Sequence, residues 1–109
     1  MKPIDISPED LKTVRAILRR HLPDIEVRAF GSRVRWTARG SSDLDLVLMT
    51  EDAIDAGSMA DLREAFVESD LSFKVDLVDW ATTSDEFRRV IEEECEVVQE
   101  ANMKSMGRE

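Results

Sequence analysis

Residues 30–49 read FGSRVRWTARGSSDLDLVLM, and this stretch decides the fold. Gly31-Ser32 is followed by ten residues that hold three arginines and no acid, and then by Asp43-Leu44-Asp45 at the head of an apolar run. Side chains alternate along a strand, so in DLDLVLM Asp43, Asp45 and Val47 share one face while Leu44, Leu46 and Leu48 share the other. The leucine face requires a core. Carboxylates are poor strand formers, and two at alternate positions, roughly 6.5–7 Å apart at their Cα atoms, repel each other. Such a pair calls for positive charge between its members.

A second acidic strand lies downstream. In FKVDLVDW, residues 73–80, Phe73, Val75 and Leu77 fall on one face and Lys74, Asp76 and Val78 on the other. If the two strands pair with their apolar faces together, Asp76 joins Asp43 and Asp45. Three carboxylates in one place are costly unless divalent cations sit among them, and an all-oxygen ligand set suits Mg²⁺. Asp79 falls on the apolar face by parity and ranks below Asp76. Upstream, Gly31 ends a strand, reaches backbone angles closed to other residues and lets a ligand approach the chain. Ser32 adds a hydroxyl, and a helix start there presents free N–H groups to a phosphate. A phosphate seat on one side and paired carboxylates on the other leave a gap for Mg²⁺ to bridge. That arrangement serves phosphoryl or nucleotidyl transfer.

The rest of the chain supplies a frame. ISPEDLKTVRAILRRHL, residues 6–22, reads as a helix with Ser7 as N-cap, Pro8 at its first position and Leu11, Val14, Ile17 and Leu18 at helical spacing. Strand 25–30, a short helix over 33–38, strand 43–49, a loop over 50–57, helix 58–69 and strand 73–80 follow. The last element reads as one long helix over 82–101, with Thr83 and Glu86 spaced as a capping box and Phe87, Val90, Ile91, Val97 and Val98 as its stripe. This order gives an α/β (α+β) domain, a small mixed sheet flanked by helices, spanning 1–102 with a flexible tail at 103–109.

Composition narrows the function. The 109 residues carry a net charge of −9, which disfavours direct binding of nucleic acid, since phosphate contacts need clustered positive charge. Cys95 is the one cysteine, so no disulfide forms within the chain, and a reducing cytoplasm is expected. No apolar run reaches the roughly 18–20 residues of a bilayer span. Arg33, Arg35 and Arg39 either contact phosphates or an acidic partner or form a solvated, salt-bridged face. Lys74 either touches nucleotide or pairs with a carboxylate. Trp36 is expected to be partly buried.

Gly31-Ser32, the ten-residue spacing, Asp43-Leu44-Asp45 and the later Asp76 together resemble the signature of the polymerase-beta-like nucleotidyltransferase superfamily. The chain's size is similar to that of its minimal members, the MNT domains. The resemblance implies that Asp43 and Asp45 coordinate two Mg²⁺ ions, that Asp76 ligates the catalytic one and helps activate an acceptor hydroxyl, and that Gly31 and Ser32 hold the β- and γ-phosphates of ATP. It further implies an antitoxin that adds AMP to a tyrosine of a cognate HEPN RNase toxin. Two alternatives remain: an antitoxin that neutralises by binding alone, and a transferase acting on a small molecule such as an aminoglycoside.

Overall fold

The computed structural model describes residues 4–39 and 42–102. The tail expected to be flexible, 103–109, lies outside the described residues.

Helix α1 (Pro8–His21) starts where Ser7 Oγ accepts the Asp10 N–H at 3.0 Å, with Pro8 in the first turn. Acids in its first turn and Arg19, Arg20 and His21 in its last complement the helix dipole. Strand β1 (Glu26–Phe30) follows, then the four-residue helix α2 (Ser32–Arg35) and strand β2 (Leu44–Met49). Helix α3 (Ala56–Val67) begins two residues earlier than the sequence implies. Asp55 captures both the backbone N–H and the hydroxyl of Ser58, at 2.9 and 2.8 Å, and so fixes the start. Strand β3 (Val75–Asp79) returns beside β2, and a single 3₁₀ turn, Trp80–Thr82, leads onward.

The last segment departs from expectation. It is a short helix α4 (Asp85–Glu93) and then a strand β4 (Cys95–Gln99), rather than one long helix. The cap is Ser84, whose Oγ accepts the Phe87 N–H at 3.2 Å, while Thr83 donates its hydroxyl to the Asp79 carbonyl at 2.7 Å. Two causes end the helix early. Glu92, Glu93 and Glu94 crowd the negative end of the helix dipole, with no cation in the last turn to offset them. Beyond them, β1 offers an open edge to a valine-rich segment that fits a pleated strand. Val98 is buried, Val97 is exposed, and the Gln99 amide donates to the carbonyls of Leu22 and Ile25 at 2.8 and 2.9 Å.

The sheet order is β3-β2-β1-β4, with β1 antiparallel to both β2 and β4 and β2 parallel to β3. Parallel neighbours need a crossover, and α3 supplies it. One face of the sheet is sealed: Leu44, Leu46, Leu48, Val27 and Ala29 pack with Val14 and Leu18 of α1 and Leu62 and Phe66 of α3. The other face carries a smaller cluster, Phe30, Val47 and Ile91, with Val78, Trp80 and Cys95 around it. Phe87 meets Phe30 edge-on at 5.8 Å, so α4 packs on this face over Phe30.

Candidate active site

The second face also holds the acidic residues. Phe30 pairs with Asp45 across β1 and β2, and Asp45 pairs with Asp76 across β2 and β3. Directly paired residues point to the same side, so Asp45 and Asp76 share the face of Phe30. Asp43 lies just ahead of β2 and is exposed, as is Asp76, while Asp45 is half-buried. Burial, and after it the charges of Asp76 and then Asp43, push the Asp45 carboxyl up to about 6. Among the described residues, no three acidic, histidine or cysteine side chains close around one ion position. The donor set is nonetheless all carboxylate oxygen, which is the chemistry a hard divalent cation takes.

Gly31 sits directly beside Asp45. Its φ is +84°, and a Cβ built on it would land on the Asp45 carboxylate. Both facts demand glycine here. The Gly31 carbonyl accepts the N–H groups of Val34 and Arg35, each at 3.1 Å, which turns the chain at once into α2 and carries Ser32 on its first residue. Trp36, at φ +62°, closes that helix in the left-handed region. The residue is 44% exposed, more open than the sequence implies.

The basic residues divide. Arg33 is buried and is neither a phosphate ligand nor part of a solvated face. Its guanidinium donates to the Asp5 carbonyl at 2.8 Å and to the Ser42 carbonyl at 2.8 and 3.1 Å, and it lies 4.3 Å over the Phe73 ring. Ser42 precedes Asp43, and Phe73 lies just ahead of β3. Arg33 therefore ties the Gly31-Ser32 turn to the bases of both acidic strands, a positioning role that its spacing in the sequence does not reveal. Arg35 faces Glu94 at 3.8 Å, both half-exposed, and Arg39 is exposed. Lys74 is exposed and has no ion-pair partner among the described residues. Asp79 is engaged in structure: Thr50 Oγ1 donates to it, the Ile54 N–H reaches it at 2.7 Å, and the Ala81 N–H reaches it at 3.2 Å.

Residues 12–104 match the family described as Polymerase beta, Nucleotidyltransferase. The chain belongs to that family. Over 97 residues it is 48% identical to the probable protein adenylyltransferase MntA of Haemophilus influenzae, covering 89% of this chain and 85% of that one. Among solved structures it resembles a toxin–antitoxin complex with AMP-PNP, at a TM-score of 0.70 and 21% identity, covering 89% of this chain and 78% of that one. It also resembles the complex of a tri-AMPylated Shewanella oneidensis HEPN toxin with its MNT antitoxin, at a TM-score of 0.65 and 20% identity, over 90% of this chain and 76% of that one. At those identities the structural likeness is one of fold, and the fold is the polymerase-beta-like nucleotidyltransferase fold.

Proposed function

We propose that the chain is a protein adenylyltransferase and an antitoxin. It transfers AMP from ATP to a tyrosine hydroxyl of a cognate HEPN toxin and silences it, in the cytoplasm. The observation that carries this reading is the row Phe30, Asp45, Asp76 across three neighbouring strands, with Gly31 just past the end of β1 against the Asp45 carboxylate, which sets a phosphate-compatible turn beside a carboxylate cluster. The MntA relative and the AMPylated toxin complex support the choice of substrate.

In this reading Asp43, Asp45 and Asp76 hold Mg²⁺. When bound, two such ions stabilise charge on the attacking and leaving oxygens. Gly31 admits the β- and γ-phosphates because no side chain stands in their way, and the Ser32 hydroxyl donates to them. Asp76, exposed at the sheet edge, takes the proton of the acceptor hydroxyl. The freed oxygen pair forms a bond to the α-phosphorus of ATP. The bond from that phosphorus to the bridging oxygen breaks, and pyrophosphate leaves with its electron pair.

The experiment is intact mass spectrometry of the co-purified toxin after incubation with ATP and Mg²⁺, with the Asp43→Asn/Asp45→Asn double variant as control. A gain of one or more AMP units with the wild-type chain only is expected. A stable complex with no gain overturns the catalytic reading and leaves neutralisation by binding.

A further inference from the structure

Nucleotidyl transfer is an in-line displacement: the acceptor oxygen attacks from the side opposite the departing pyrophosphate. The row across the sheet therefore has a direction. Given the reading above, on which this inference rests, the β- and γ-phosphates lie at the β1 end, beside Gly31. The metal-binding carboxylates lie in the middle, and Asp76 lies on β3, the edge strand. Neighbouring strands are roughly 4.8 Å apart, so two steps separate the phosphate seat from Asp76. The acceptor then comes from beyond β3.

A groove of about 660 Å³ opens there, and Asp43 and Asp76 form part of its wall. Val67, Leu71 and Phe73 give it an apolar surface; Val67, the last residue of α3, is 82% exposed. Arg63 and Lys74 line it too, both exposed and neither in an ion pair among the described residues. Two uncommitted cations beside the carboxylate cluster stand out in a chain of net charge −9.

We propose that this groove is the acceptor-docking site. It receives a segment of the partner protein that carries the acceptor hydroxyl, with an apolar side chain seated on Val67 and Leu71 and a carboxylate held by Lys74 and Arg63. The two cations select the acceptor; they take no part in the transfer step. This surface also supplies the contacts that turn a general nucleotidyl site toward a protein acceptor with acidic flanks.

The test is steady-state AMP transfer to the toxin by the wild-type chain, Lys74→Glu and Val67→Asp, varying toxin and ATP separately. All the substituted side chains are exposed, and thermal melts confirm folding. The expected result is a KM for toxin raised ~10-fold or more by either change, with the KM for ATP within about 2-fold of wild type, because Lys74→Glu repels the partner's carboxylate and Val67→Asp puts a charge where an apolar side chain sits. A raised KM for ATP with an unchanged KM for toxin would assign the groove to nucleotide and overturn the proposal, as would no change in either. If the wild-type chain transfers nothing, the catalytic reading fails and calorimetric titration with the toxin judges the groove. A Kd weakened ~10-fold in the variants keeps it as a contact surface, and an unchanged Kd removes it.

Discussion

Strand β2 presents two faces built from alternate residues of one short sequence, and they obey opposite rules. The leucine face, Leu44, Leu46 and Leu48, is 0–1% exposed between the sheet and helices α1 and α3. The other face has Val47 buried with Ile91 of α4 and, two residues before it, the half-buried Asp45. On the first face every side chain lowers the free energy of folding. On the second, a carboxyl is held half-buried among two others, at a cost to its charged form that protonation or a bound cation would remove. The comparison teaches that stability and chemistry are separated here by one residue of register. A single-residue slip of β2 would bury the aspartates and expose the leucines.

The largest effect that would break this contrast is on chemistry. Asp45→Asn should lower AMP transfer by about three orders of magnitude, read by radiolabel or mass, because on the proposed reading it removes a ligand to the charge-stabilising ions. The same variant should melt at or above the wild-type temperature without Mg²⁺, since the repulsion disappears. A variant that fails to fold would show the second face to be structural after all.

On the sealed face, Leu46→Ala should cost about 3 kcal/mol in urea unfolding, within the range for buried leucines, while transfer per folded molecule stays near wild type. A loss of activity larger than the loss of folded protein would mean that the two faces are coupled.

The smallest effect concerns pH. Asp45 titrates near 6 in the folded chain against an ordinary value of 3.8, so between those values the folded state binds more protons than the unfolded. Its contribution to stability is therefore favourable at low pH and is lost as pH rises through about 4 to 6. The metal-free chain should show this decline in its melting temperature, Asp45→Asn should lack it, and Mg²⁺ at pH 7 should restore the lost stability. A decline of equal size in Asp45→Asn would assign it to other groups.

Much of this arrangement is legible in the sequence. The alternation in residues 43–49 and 73–80 places the aspartates on one face, and the helical spacing between them supplies the crossover that makes β2 and β3 parallel and sets Asp45 against Asp76. The end of the chain is not legible in the same way. Residues 82–101 carry a helical stripe, and only tertiary pairing with β1 shows that the valines belong to a strand. The three glutamates at 92–94 mark the break in hindsight, since a helix continuing past them would bring their charges inside it rather than to its end. Arg33 is hidden for a related reason. Its spacing matches that of its solvated neighbour Arg35, and its partners are carbonyls of residues 5 and 42 and a ring at 73, which no local pattern connects.

That one guanidinium also bears on how the protein comes apart. It joins the N-terminal segment, the loop ahead of Asp43 and the approach to β3, three pieces far apart along the chain. Undocking any one of them strands a buried charge without its full set of acceptors, which is costlier than leaving the charge in water. Partly opened forms with a malformed acidic face are therefore sparsely populated. For the proposed antitoxin role this implies a binary quality control: a molecule is either assembled and competent or open enough for a protease to find, with few inactive copies left to occupy a partner.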